Sequence, residues 1–413
     1  MDAFSPTVAP VAITWPRILP DEARTLAALA EDTEGPVIHI RKPEAPPAEM
    51  RRLLEELRAS GADMRRFTLH YDEPLARSFG LGGVHLREAH SGKLPAGELR
   101  RSVSCHDWTE ALRCAKRFDY VFLSPLFDSI SKEGYRSRID IGEAPARLRG
   151  HAGKIVALGG ISASNIARCR TAGFDGAAAL GALWHIENGS IDTERTLRNY
   201  RMLRRKWKAA GGSLQFISDG DMGTAEAFLQ GGGRWIQLRM KETPPEEIVR
   251  RGREMLALCR KYGAVLIVND HPALAAATGA DGVHLGQSDM PPAEARRIVG
   301  EGAIIGSTAN TFGQIAERND LQTDYIGLGP FRYTTTKRNL APLLGTEGYR
   351  DILARMRGAD IGLPVVAIGG IETGDVPAIL STGVTGIALS GAVARAEDPH
   401  GATERFLAAM DRT

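Results

Sequence analysis

The sequence predicts an α/β chain of two tandem (β/α)8 TIM barrels that arose by internal duplication. Three observations predict it. The chain repeats itself, short apolar runs alternate with helical segments inside each repeat, and no G-x-G-x-x-G follows the first strand of either repeat. A length of 413 residues already favours two domains over one. Four matched blocks carry the duplication. "VIHIRKP" (37–43) answers "WIQLRMK" (235–241), which sets Arg41 against Arg239, 198 residues on. "LGGVHLRE" (81–88) answers "ADGVHLGQ" (280–287), with His85 and His284 199 apart. Pro125 and Pro330 are 205 apart, and Gly160 and Gly370, in "VALGGISASN" and "VAIGGIETGD", are 210 apart. The offset grows slowly, as small insertions in the second copy's connections would make it. A boundary falls in "KWKAAGGS" (206–213), so the domains are read as 1–205 and 211–413.

Within the second copy, "AVLIVND" (264–270), "ADGVHLG" (280–286), "AIIGST" (303–308) and "DYIGLG" (324–329) read as buried strands. "PPEEIVRRGREMLALCRKYG" (244–263) and "DVPAILSTG" (375–383) read as helices between them. Such alternation builds a parallel sheet, and about eight pairs in 200 residues is the compact limit of a closed barrel. A doubly wound open sheet is the runner-up, set back by the missing glycine fingerprint.

Composition narrows the function classes. A net charge of +2 gives no reason to expect nucleic acid or a membrane surface as partner. Cys105, Cys114, Cys169 and Cys259 form no C-x-x-C pair, so they read as free thiols in a reducing compartment. No basic-then-apolar leader and no apolar run long enough to span a bilayer is present, and a cytoplasmic protein is expected.

In a barrel, active residues follow the strands at the C-terminal face. "AIGGI" and then "ALSGAV" would form a phosphate cradle there, with Gly369, Gly370, Ser390 and Gly391 bringing backbone N–H groups to phosphate oxygens. A tight turn is the plainer reading of the paired glycines. Asp270 and Asp289 each follow a strand, and two carboxylates with open positions suit Mg2+. Helix capping is the alternative for both, in "NDHPALAAA" and "SDMPPAEA". Gln237, Arg239 and Lys241 alternate at a strand end and share a face, and Lys337 adds a third cation. Two carboxylates, three cations and a separate cradle imply a metal-bound diphosphate and a monophosphate, and hence displacement of pyrophosphate.

The second copy resembles the thiamine-phosphate synthase family over about residues 213–400. The resemblance rests on "QLRMK", "VNDHPALA", "GVHLGQSD", "STANT", "GLGPFRYTTTK", "AIGGI" and "LSGAV", in that order. It implies a transferase of thiamine biosynthesis that joins hydroxymethylpyrimidine diphosphate to hydroxyethylthiazole phosphate. It also implies Mg2+ on Asp270 and Asp289. The diphosphate would lie on Arg239, Lys241, Asn269 and Lys337 with Gln237 nearby, and the thiazole phosphate on Thr334, Thr336, Gly370 and Ser390. Thr308 stands where the family usually has serine, and its hydroxyl is expected to serve.

The first copy keeps the frame and changes the chemistry. Asn269 and Asp270 become His70 and Tyr71, Asp289 becomes His90, and Gln237 becomes His39. Lys241 becomes Pro43, with Arg41 kept and Lys42 adjacent. Ser129, Ser131 and Lys132 repeat the hydroxyl–hydroxyl–cation loop, and Gly159, Gly160 and Gly181 repeat the cradle, with Leu180 in place of Ser390. The pattern resembles the thiazole tautomerase branch of the same superfamily, with His70, His90 and His106 as acid–base candidates. Pro125 stands where that branch has a histidine, and a degenerate barrel is the equal alternative. His85 and His284 lie inside strands and are expected to be structural. A precursor-binding sensor and a phosphosugar isomerase barrel are the competing functions for the chain. A homo-oligomer stays open.

Overall fold

The computed structural model describes residues 10–32, 35–87, 99–128, 137, 139–320, 322–333 and 342–411. The chain divides into two units, 1–207 and 208–413. The strands of the first are β1 (Val11–Ile13), β2 (Ile38–Ile40), β3 (Phe67–His70), β4 (Gly83–Leu86), β5 (Arg100–Cys105), β6 (Tyr120–Leu123), β7 (Ile155–Leu158) and β8 (Gly176–Ala179). They pair in sequence order, all parallel, and β8 closes on β1. A short antiparallel hairpin, β9 (Ile186–Glu187) and β10 (Ser190–Ile191), follows them, and helix Thr193–Ala210 runs through the boundary between the units.

The second unit repeats the arrangement. Its strands are β11 (Leu214–Ser218), β12 (Trp235–Leu238), β13 (Val265–Asn269), β14 (Gly282–Leu285), β15 (Ile304–Ala309), β16 (Tyr325–Leu328), β17 (Val365–Ile368) and β18 (Gly386–Leu389). They too form a closed parallel barrel in sequence order. The strands expected from the apolar runs lie within a residue or two of the quoted segments, and helix Pro245–Lys261 occupies the first expected helical stretch. The segment 375–383 is shorter than expected as a helix, a 3-10 turn at Thr373–Asp375 followed by Val376–Leu380.

These strands are apolar at nearly every position because both faces are covered. Alternation still sorts them. On β12 and β13, Trp235, Val265 and Ile267 join an inner cluster with Ile304, Tyr325 and Val366. Ile236, Leu238 and Leu266 point outward and pack among the helices with Phe228, Met255 and Tyr349. The inner cluster plugs the barrel and leaves its C-terminal end to polar residues of the same parity. In the first barrel Val11, Ile13, Tyr120, Phe122, Val156 and Ala178 form the inner cluster.

The frames match down to the backbone. Tyr71 and Asp270, at corresponding positions after β3 and β13, have φ of 71° and 66°. Gly159 and Gly160 have φ of 98° and 65°, and Gly369 and Gly370 have 104° and 65°. A Cβ on Gly369 would lie 2.9 Å from Pro330 Cα, so glycine is required by both the dihedral and the close approach. Cis peptide bonds precede Pro125 and Pro330.

One cation of the first barrel serves the fold. Lys42 is fully buried, paired with Glu22, and donates to the carbonyls of Trp15 at 2.7 Å and Arg17 at 2.8 Å. It ties the loop after β2 to the loop after β1 and leaves no charge for a ligand. Removing one partner strands a buried charge, so Lys42→Met is expected to cost about 3–5 kcal/mol of the first unit's stability. The double replacement Glu22→Leu, Lys42→Met should recover most of that loss. Urea unfolding of the full chain, resolved into its two transitions, checks both.

Candidate active site

A cavity of about 440 Å³ opens at the C-terminal end of the second barrel. It is lined by Gln237 and Arg239 from the end of β12, Asn269 and Asp270 at the end of β13, Asp289 after β14, and Thr308 on β15. Gly369 and Gly370 after β17 and Ser390 and Gly391 after β18 complete the set. Parity explains the convergence. Gln237, Asn269, His284 and Thr308 occupy inward positions in the same phase as the plug residues beneath them.

Three contacts fix the polar floor. Gln237 Nε2 donates to Asn269 Oδ1 at 2.5 Å. His284 Nδ1 meets the Tyr325 hydroxyl at 2.9 Å and His284 Nε2 meets Thr308 Oγ1 at 3.0 Å. The expectation that His284 is structural therefore covers half of its role, since it also lines the cavity and holds the Thr308 hydroxyl.

Asp270 and Asp289 face one another across the mouth, close enough for a hydrogen bond between the carboxyls. Burial, then the hydrogen bond and charge of Asp289, push the Asp270 carboxyl up to about 6, against the opposing pull of Arg239 and His271. Neither aspartate caps a helix. The helices that follow begin with His271 and Pro291 as their flanking residues, without a side-chain cap, and Asp289 Oδ2 instead accepts from Gly286 N at 2.6 Å. Capping is thus excluded as the reason for both carboxylates. Two facing carboxyls offer hard oxygen donors, and a divalent cation such as Mg2+ fits that set.

Not every expected residue converges. Lys241 is exposed in the loop beyond Arg239 and is not among the cavity's lining residues. Thr334, Thr336 and Lys337 lie outside the described residues, as do His90, Ser129, Ser131 and Lys132 of the first barrel. Other lining residues escaped the sequence reading. Gln215 and Asn310 share the inward parity of Gln237 and Thr308, a signal that was present. Asn310 donates to the Gly329 carbonyl and to no carboxylate, and Gln287 Nε2 donates to Asn310 Oδ1 at 2.5 Å. Arg395 reaches over Gly391 from one turn further on, and nothing in the strand pattern announces it.

In the first barrel, His39, His70 and His85 meet on the inner face of β2 to β4, while Arg41 stands half-buried beyond them. His106 lies apart and exposed, with Nδ1 donating to the Ser124 carbonyl at 3.1 Å. Gly159 and Gly160 keep the cradle's backbone, and Leu180 packs beside the inner cluster without a hydroxyl.

A sequence profile described as thiamine monophosphate synthase matches residues 11–183 and again 214–393. The chain belongs to the thiamine monophosphate synthase family. It is thereby a transferase of thiamine biosynthesis. The thiamine-phosphate synthase of Phocaeicola vulgatus is 53% identical over 184 residues, which is 45% of this chain and 88% of the relative. That of Bacteroides fragilis is 52% identical over 200 residues, 47% of this chain and 98% of the relative. A solved thiamine phosphate pyrophosphorylase from Pyrococcus furiosus is 34% identical, covering 49% of this chain and 96% of that one, with a TM-score of 0.45. Both halves match the one family, and nothing in these likenesses singles out a tautomerase in the first.

The raised Asp270 carboxyl has a sign that can be measured. A carboxyl whose folded-state pKa lies above its unfolded value contributes stability below the unfolded value and loses it as pH rises through about 6. Without metal, the second unit's melting temperature is expected to fall between pH 5 and pH 7, in excess of the background trend. Asp270→Asn should remove that excess. Calorimetry in chelator across this range, on the wild-type and variant chains, reads it directly.

Proposed function

We propose that the second barrel performs the synthase reaction. It would couple hydroxymethylpyrimidine diphosphate with hydroxyethylthiazole phosphate and release pyrophosphate. The observation that carries this is the carboxylate pair Asp270 and Asp289 at the cavity mouth, where the first barrel has Tyr71 and His90. Asp270 and Asp289 would hold Mg2+, which when bound neutralises charge on the diphosphate and on the leaving pyrophosphate.

The chain's own residues do the rest. Arg239, half-buried at the mouth, stabilises negative charge as the pyrimidine C–O bond ionises. Lys337 would add a second cation and Lys241 a third, from beyond the lining. The Gln237–Asn269 amide pair is fixed by its mutual hydrogen bond and presents its remaining donors and acceptor to the pyrimidine diphosphate. Thr308, held in place by His284, supplies a hydroxyl. Gly369, Gly370, Ser390 and Gly391 receive the thiazole phosphate through backbone N–H groups, with Thr334 and Thr336 from the neighbouring loop. The phosphate anchors the thiazole so that its nitrogen meets the benzylic-type cation, and no protein nucleophile is needed.

The first barrel lacks the carboxylate pair, and we assign it no diphosphate turnover. A tautomerase role there would rest on His70 alone among the described candidates that meet in the barrel, because His106 lies apart. The sensor reading loses ground to the carboxylate pair beside Arg239 in the second barrel.

Single-turnover assays of the full chain with both precursors test the assignment. Asp289→Ala and Arg239→Ala are each expected to lower the rate by about 10²–10³-fold. His39→Gln should leave it within about twofold, because that residue belongs to the other barrel. Full activity in Asp289→Ala would move catalysis out of the second barrel. Binding of both precursors without product in the wild type would restore the sensor.

A further inference from the structure

The first barrel contains a cluster that the synthase reaction does not use. One ring nitrogen each from His39, His70 and His85 lies within 4.8 Å of the other two. The corresponding positions of the second barrel hold Gln237, Asn269 and His284. Two side-chain amides have thus been exchanged for imidazoles at neighbouring inward positions, next to a histidine both copies share. We propose that His39, His70 and His85 form a binding site for a first-row transition dication of the Zn2+ type, with one coordination position open toward the barrel mouth.

The surroundings have the features such a site needs. His39 Nδ1 lies 3.1 Å from His70 Nε2, a separation that two ligand atoms on one ion also show. His39 Nε2 is held at 2.6 Å by the Tyr120 hydroxyl, which fixes the ring with Nδ1 facing His70. His85 is held at one ring nitrogen by Ser102 at 2.9 Å and at the other by Ser104 at 3.1 Å, so one hydroxyl would keep the ring in place by accepting its N–H while the other turns away to free the ligand nitrogen. His70 Nδ1 is buried and has no hydrogen-bond partner, so the cluster as it stands is incomplete.

Burial also holds all three imidazoles well below the usual histidine range, so they are neutral, the form a metal binds. No carboxylate is part of the cluster, which favours an imidazole-preferring ion over Mg2+. The nearby positive charges, Arg41 toward His70 and His85 and Arg100 toward His39, oppose a bare cation. They would favour an anionic fourth ligand, hydroxide or an oxyanion, in the open position. His70 and His85 stack with centroids 4.3 Å apart, so chelation requires the His70 ring to turn. It is the least buried of the three, while His39 and His85 are pinned. With a metal bound, His39 would carry its proton on Nε2, toward Tyr120, and His70 on Nδ1, so that His39 Nδ1 and His70 Nε2 ligate and the hydrogen bond between them is given up.

The one other cluster of this kind among the described residues, His185 with Glu187 and Asp192, already has Arg195 on it. That guanidinium lies 2.7 Å from His185 Nε2 and 3.5 Å from Asp192.

Cobalt titration of the full chain tests the proposal. The protein is stripped with chelator and kept in excess Mg2+ so that the carboxylate pair of the second barrel does not compete. One equivalent of Co2+ per chain is expected, with the visible absorption of a four- or five-coordinate nitrogen site, displaced by Zn2+. His39→Gln and His70→Asn install the second barrel's own residues in the same frame, and each should weaken binding by at least about 100-fold. Tyr120→Phe should weaken it by about tenfold. Circular dichroism confirms that the variants fold. A wild-type chain with no saturable band, or a band that survives both histidine replacements, overturns the site.

Discussion

A closed parallel barrel obeys one constraint from which most of this molecule follows. Side chains alternate across each strand, so every second residue faces the barrel axis. Eight strands in sequence order bring those inward residues together whatever their distance along the chain. At the lower levels the inward positions must fill space, and Trp235, Val265, Ile304 and Tyr325 do so. At the upper level they meet a cavity, and there the same phase places Gln237, Asn269, His284 and Thr308. The site is the top layer of the packing pattern rather than an addition to it.

That constraint also decides how much could be read from the sequence. The duplication, the strand rhythm and most cavity residues of the second barrel were legible because each rests on spacing alone. Gln215 and Asn310 carry the same inward phase, but Gln215 lies in none of the motifs that point to the site. What spacing cannot give is direction after a strand ends. Lys241 shares a face with Arg239 only while the chain stays extended, and the chain turns there. Lys42 is only the neighbour of Arg41 in the sequence, and its partner Glu22, from a helix twenty positions earlier, meets it only through the fold. The capping question was likewise undecidable beforehand. It turned on whether Asp270 and Asp289 reached backward to one another or forward to a helix, which the sequence leaves equal.

The two barrels then differ by a small exchange with large electrostatic consequences. The second places two carboxylates in mutual contact, so that one holds its proton up to about 6 and a dication relieves the repulsion. The first has no such pair at the matching positions and gathers imidazoles that burial keeps neutral. One mouth offers oxygen donors, the other nitrogen donors. Both stand on the same glycine turns after the seventh strand and the same inward histidine on the fourth.

The left-handed residue after the third strand shows what duplication preserves. An aspartate adopts that conformation with comparative ease, whereas a tyrosine does so at a cost of about 1–2 kcal/mol. Tyr71 nevertheless adopts it, and its N–H reaches the His85 carbonyl at 2.9 Å just as Asp270 N–H reaches that of His284 at 2.8 Å. The ladder between two strands enforces the bend, and the side chain merely inherits it. A copy can therefore exchange aspartate for tyrosine there without reshaping the slot that displays the side chain. Drift at such a position is a change of tool in an unchanged holder.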